Sequence, residues 1–262
     1  MRLVGTAASG IRAQQVAIDT IGNNLANVNT PGFKANQMDF AEALSTEVRS
    51  GNIKTGGNTG LATLGVGAGV LYNASGTNFL QGNLSPTDRP LDLGINGSGF
   101  FQVKTPDGKT GYTRAGAFQV DASGQLADLQ GNVVQPSISI PSGATDLSVT
   151  SNGEITGVVA GTKTTFGQIS LAGFQNPEGL QKNGNNLFVL TVNSGPPQVG
   201  QPGTTIGNQV LGTIRGQSLE QSNVDLATSM TDLMQVQRAY QVNARLISDG
   251  DQMWGIANAM RR

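Results

Sequence analysis

The chain contains no cysteine and no histidine, and only 13% of its 262 residues are charged, against a usual share of about 25%. Without cysteine and histidine, no Ser-His-Asp triad, cysteine nucleophile, zinc finger or HExxH metal helix can be built. No disulfide can form either, so composition does not fix the redox compartment, although an oxidising one would do no harm. Charge of both signs is scarce: 16 basic and 17 acidic residues give a net charge of -1. With no basic run, the chain lacks the electrostatic footprint of a nucleic-acid or anionic-lipid partner. No window approaches 18 apolar residues, so no segment reads as spanning a membrane. The opening MRLVGTAASGIRAQQ reaches Gln14 and Gln15 without the continuous apolar stretch of a cleaved secretory signal. A chain of this size buries a core unaided, and its low charge points to surfaces that are covered by something else.

What is present begins with two periodic ends. Val4, Ile11, Ile18 and Leu25 recur every seven residues, with Ala7, Ile21 and Val28 three positions after members of that series. This spacing predicts a helix from about Leu3 to Val28 with a narrow seam suited to a partner helix. At the other end Leu219, Leu226, Leu233, Tyr240, Ile247 and Trp254 recur every seven residues, with Met230, Val236 and Ala244 on the same side. A second apolar edge, Val242, Leu246, Met253, Ile256 and Met260, gives this helix more apolar surface than one neighbour covers. SNVD, Ser222 to Asp225, signals its start, and the N-cap is expected at Ser222 or Asn223.

Between the ends, short alternating runs are separated by Gly, Asn, Asp and Pro, the pattern of strands and turns. Strands are expected near 91–95, 100–104, 112–114, 117–120, 133–140, 147–149, 155–159, 164–171 and 187–192, with turns at Gly108, Gly124 and Gly153. The expected fold class is α+β, with paired, coiled-coil-like N- and C-terminal helices flanking a central antiparallel β-rich domain. Its segments are an N-terminal helix and break over 1–34, an extended connector over 35–90, the β domain over 91–215 and the C-terminal helix over 216–262. The stretches Ser45–Gly69 and Asn193–Gly212 are rich in Gly, Thr, Asn and Pro and read as extended connectors or loops.

Candidate chemistry is thin. GVGAGV at Gly65 to Val70 and GINGSGF at Gly94 to Phe100 have neither the pattern nor the strand-to-helix setting of a phosphate loop. Carboxylates at Asp88, Asp92, Asp107, Asp121, Glu154 and Glu178 mostly sit beside Gly or Pro, where they read as turn residues rather than a hydrolytic pair. Calcium-loop spacing is missing. No catalytic, metal or cofactor site is expected.

The motif GNNLANVNTPGFK, Gly22 to Lys34, ends the first helix. Thr30 precedes Pro31 and is pushed away from helical conformation, and Pro31 with Gly32 stops the helix. Asn23, Asn24 and Asn27 stand in the last turns, where their amides can cap carbonyls or bond to a neighbouring chain. Phe33 is an apolar anchor beyond the break.

These residues also carry a resemblance. GNNLANVNTPGFK and NVDLATSMTDLMQVQRAYQVNARLISDGDQM resemble the two terminal signatures of the bacterial flagellar rod and hook axial protein family. GNLS at Gly82, GFFQV at Gly99 and YTRAGAFQVDASGQL at Tyr112 resemble its β-domain motifs. The length and the QVQRAY...DQM ending look most like distal rod members, with proximal rod members as the alternative. The connector sequence STEVRSGNIKTGGNTGLATL departs from the segment that distal rod members carry at this place.

The resemblance implies a structural subunit, exported unfolded by the flagellar type III apparatus, that assembles helically into a hollow shaft across the periplasm. Its implied partners are copies of itself, other rod and hook proteins and a surrounding ring or bushing. The terminal helices would form the inner layer and fold on assembly. A β-rich secreted adhesin or fibre module, which has no reason to need matched heptads at both ends, and a carboxylate hydrolase are the competing classes.

Overall fold

A computed structural model describes residues 2–43, 46–49, 63–66, 69–72, 76–207 and 209–260. Most of the expected connector Ser45–Gly69 lies outside these residues. The chain is α+β, with helix α1 over Arg2–Ala26, helix α2 over Leu226–Ala259, and short, mostly antiparallel strands between them. It divides into two compact units, each assembled from separate parts of the sequence: residues 1–25, 36–76 and 225–262, and residues 26–35 and 77–224.

The larger unit has both faces of its main sheet covered. Strand Phe100–Lys104 lies at its centre, bonded to Thr110–Thr113 through the tight turn at Gly108 and on its other side to Val133–Val134 and Leu171–Gly173. Successive side chains on a strand point to opposite faces, which explains the adjacent phenylalanines of GFFQV. Phe101 packs with Leu93, Ile95, Phe118, Leu126, Ile155 and Ile214 in one core. Phe100 packs with Tyr112, Phe174 and Phe188 in the other. Where both faces are buried, a strand reads as continuously apolar rather than alternating. A three-stranded sheet over Thr145–Val149, Glu154–Val159 and Thr162–Gln168 lies in the same unit. Strand pairs Leu93–Asn96 with Thr213–Gly216, and Leu84–Pro86 with Ser218–Glu220, are added to it.

Several elements differ from the sequence expectation. The strand expected over 133–140 stops at Val134, because Pro136 has no amide to donate to a ladder. The one expected over 164–171 is two, Thr162–Gln168 and Leu171–Gly173. Short strands also occur in stretches read as loops, at Gln198–Gly200, Thr205–Ile206 and Gln209–Val210. Ser218–Glu220 is a strand inside the segment assigned to the last helix. The N-cap of α2 is Asp225, not Ser222 or Asn223: its carboxylate accepts from the amides of Ala227 at 2.8 Å and Thr228 at 3.1 Å. Asn223 is unavailable because its side chain is bonded elsewhere.

In the smaller unit the most covered positions on α1 are small ones, Ala7, Ala13 and Ala17. Helices α1 and α2 meet where Gly10 faces Asn243, and a Cβ on Gly10 would come within 2.9 Å of Asn243 Nδ2. A two-stranded ribbon of Phe40–Glu42 and Val70–Tyr72 belongs to this unit, and Ser9 Oγ accepts from Val70 N at its edge.

Candidate functional site

The sequence brings its most detailed geometry to the end of the GNNLANVNTPGFK motif. Within the smaller unit, the Asn24 side chain is buried and pairs with the backbone of Asn36 as a strand neighbour would. Its Oδ1 accepts from Asn36 N and its Nδ2 donates to Asn36 O, both at 2.9 Å. Asn23 Oδ1 accepts a longer bond from Asn36 Nδ2, 3.4 Å. Two of the four motif asparagines thus hold the returning chain against the end of α1.

The break itself belongs to the larger unit, where each residue from Pro31 to Ala35 is tied down. Pro31 O accepts from Asn186 Nδ2 at 3.2 Å. Gly32 N donates to Glu220 O at 2.7 Å, and Gly32 has φ +71°, a conformation L side chains rarely adopt. A Cβ there would also stand 2.6 Å from Ala115 Cα, so glycine is required by conformation and by space. The Phe33 ring is buried beneath Lys182 Nζ, 4.7 Å from its centroid. Ala35 N donates to Asn223 Oδ1 at 2.8 Å, and Ala35 O accepts from Asn78 N at 2.8 Å. Thr30 and Asn27 close the preceding turn through Thr30 N to Asn27 O at 3.1 Å.

Lys34 is the centre of this strap. Its ammonium reaches Glu220 Oε1 at 2.5 Å and Leu80 O at 2.7 Å, and neither side chain of the ion pair is exposed. Arg114 Nη1 approaches the other carboxylate oxygen at 3.3 Å, and Gly82 N donates to Oε1 at 2.9 Å. One buried carboxylate is therefore shared by two buried cations, so removing it would leave both without a counter-charge. Burial pulls Lys34 below the usual lysine pKa, and the Glu220 carboxylate beside it pulls the other way. Burial also lowers Lys182, to about 8; its Nζ donates to Lys34 O at 2.7 Å.

The expected helix seams lie in the smaller unit. Ile11, Ile18, Ile21 and Leu25 are half-buried on α1. Val4 lies in its first turn, with its side chain outside the described residues. On α2, Leu233, Val236 and Ile247 are partly covered, whereas Leu226, Met230, Tyr240 and Trp254 are exposed. Val242, Leu246, Met253, Ile256 and Met260 are exposed too, giving the helix a long unpartnered apolar face.

Glu220, Arg114 and Lys182 did not stand out in the sequence, and Asn223 did so only as a possible helix cap. Lys34 and Arg114 sit inside quoted motifs, but no spacing links positions 34, 114 and 220. Their relation exists only in the fold. Among the described residues no group of acidic side chains is placed to hold a metal ion. Asp121 is a turn residue, its Oδ1 accepting from Ser123 and Gln125 amides.

Three family models match along the chain: "Flagella basal body rod protein" over residues 5–34, "Flagellar hook protein FlgE/F/G D1 domain" over 94–157, and "Flagellar basal body rod FlgEFG protein C-terminal" over 215–260. The first ends on Lys34, and the last spans Glu220, Asn223 and α2. A flagellar basal-body rod protein FlgG of Agrobacterium fabrum is 38% identical, covering 98% of each chain. The FlgG of Borreliella burgdorferi is 40% identical over 100% of this chain and 99% of its own, and that of Bacillus subtilis 36% over 97% and 96%. The chain belongs to the flagellar basal-body rod protein family. The relatives that are 36–40% identical to the chain over nearly their full length are named FlgG. The first match thus ends on the strap, and the last begins just before the strap's partner Glu220.

Proposed function

We propose that this chain is a structural subunit of the distal part of the bacterial flagellar rod, and that it acts by assembling rather than by catalysis. The observation that carries this reading is the full-length identity of about two residues in five to proteins named FlgG. The physical support comes from α2, whose exposed Met253, Trp254 and Ile256 form a face of the kind that marks an interaction site. Subunits repeat along a helical lattice through heterologous contacts that do not close on themselves. The interface seams are Val4, Ile11, Ile18, Ile21 and Leu25 on α1, and Leu226, Met230, Leu233, Val236, Tyr240, Ile247 and Trp254 on α2. Copies of the chain pack their terminal helices into a hollow shaft that crosses the periplasm and transmits torque.

Other rod proteins, the hook and a surrounding ring or bushing are its neighbours, and the flagellar type III apparatus exports it. Among the described residues no helix is long and apolar enough to cross a membrane. A secreted adhesin and a proximal rod position are less favoured, because the full-length relatives at 36–40% identity are named FlgG. The test is electron microscopy of basal bodies purified from cells producing this chain, with the chain traced in the density. The expected result places it in the shaft next to the hook; basal bodies that lack it altogether overturn the reading.

A further inference from the structure

We propose that the strap Pro31–Ala35 is already docked in the free subunit and is a positioning device. It fixes the points from which α1 and α2 leave the larger unit before any subunit assembles. This inference rests on the rod reading, because it divides the chain into a part folded in advance and a part that waits for neighbours.

The ties on the strap all come from one unit, 26–35 with 77–224, and none needs either helix. Asn186, Lys182, Glu220, Asn223, Asn78 and Leu80 supply them. Arg114, the second cation on Glu220, also donates through Nη2 to Gly97 O at 3.0 Å, so the ion cluster is anchored in the β structure. The strap is therefore part of the β unit, although the sequence places it next to α1. Asn36, one residue beyond the strap, is held by α1 residues instead. The change of allegiance falls between Ala35 and Asn36.

At the far end the change is as sharp. Asn223 bonds Ala35, Asn78 and Leu80, whereas Asp225 two residues later caps α2. The segments 32–35 and 220–223 are thus bonded to each other, while the sequence separates Lys34 from Glu220 by 186 residues. Once the ends are joined, the pairing of α1 and α2 becomes a short-tether event with a high effective concentration. The entropy of closing a loop of nearly two hundred residues is then met by folding of the β unit rather than by assembly.

Hydrogen exchange on the full-length free subunit tests the proposal, with Lys34→Met as the variant and entry into basal bodies as the second readout. In the wild type the amides of Gly32 and Ala35 should exchange at least about 100-fold more slowly than those of α1, and as slowly as neighbouring β amides. In Lys34→Met they should lose most of that protection while Tyr112 and Phe188 keep theirs, and incorporation should fall about tenfold. Restoring a cation with Lys34→Arg should recover part of both. Asn223→Ala makes the same comparison at Ala35 if Lys34→Met does not fold. Wild-type Gly32 and Ala35 amides that exchange like those of α1 overturn the proposal. So does a folded Lys34→Met subunit that incorporates at the wild-type rate. A wild-type chain with protected strap amides that never appears in basal bodies supports the early docking and refutes the rod reading alone.

Discussion

The two units of this chain treat apolar side chains in opposite ways. In the larger one Phe100, Phe101, Phe118, Phe174 and Phe188 are buried to 2% exposure or less and meet edge to face. In the smaller one alanines are buried, while Trp254 and Met253 stand 56% and 67% exposed. A unit that covers its large side chains has its stability in hand as a single molecule. A unit whose buried apolar residues, among those described, are alanines and which displays tryptophan has left part of that stabilisation to contacts outside itself, since each large side chain withdrawn from water contributes about 1.5–3 kcal/mol. The contrast is the one expected of the proposed rod subunit, whose larger unit would be stable alone and whose terminal helices would complete their packing against neighbouring copies.

The sharpest way to break this contrast is to delete equal bulk on both sides of it. Phe101→Ala removes a fully buried ring that packs edge to face on Phe118 at 5.1 Å, and it should cost the larger unit about 3–5 kcal/mol in urea unfolding followed by circular dichroism. Trp254→Ser should change the stability of the free subunit by no more than about 0.5 kcal/mol, as for other exposed sites, while abolishing incorporation. Trp254 is the sole tryptophan, so its emission in the wild type should be that of a solvated indole in the free subunit and move to the blue on assembly. Equal losses of stability in the two variants would remove the distinction between the units.

Glu220→Gln probes the larger unit at its most polar point. It leaves Lys34 and Arg114 buried without their carboxylate, and removing one member of such a cluster costs about 3–5 kcal/mol. The same thermal or chemical melt measures it. A loss below about 1 kcal/mol would mean that water reaches the cluster. Smaller again is Asn24→Ala, which orphans the amide and carbonyl of Asn36. It should cost about 1–3 kcal/mol, confined to the smaller unit and read as lowered melting of assembled filaments with an unchanged β-unit transition.

Much of the fold was legible because helix and strand periods are local. The strand Phe100–Lys104 has the bounds its sequence suggests, and α1 spans the whole seven-residue series from Val4 to Leu25, ending at Ala26 rather than Val28. Two kinds of feature were not. On α1, counting large residues drew attention to Ile11 and Ile18, while the most covered positions are Ala7, Ala13 and Ala17, since close approach of neighbours favours small side chains. At the start of α2, Ser222, Asn223 and Asp225 all have side chains able to cap, and local sequence does not choose among them. The choice is made by Ala35, 188 residues away, which takes Asn223 and leaves the cap to Asp225. The same holds for the site. Pro31 and Gly32 announce a break to any reader of the sequence, but Glu220, with an unremarkable neighbourhood in SLEQS, matters only because Lys34 and Arg114 are folded against it.

The smallest expected effect is a pH dependence confined to the larger unit. Lys182 has a folded pKa of about 8, lowered by burial from the usual 10.5, so between these values the unfolded chain binds more protons than the folded one. Stability therefore rises with pH across that window and is flat below it, where both states are protonated. Lys34, also lowered by burial, acts in the same direction, whereas Tyr112, raised by burial, opposes it only above about pH 10. Melting of the β unit between pH 7.5 and 9.5 should therefore shift upward, by less in Lys182→Met than in the wild type. The smaller unit holds none of these shifted groups, so Trp254 emission in the free subunit should stay constant over the same range. An identical rise in Lys182→Met would show that the ammonium above Phe33 is solvated, and the strap would then be held on that side by the ring alone.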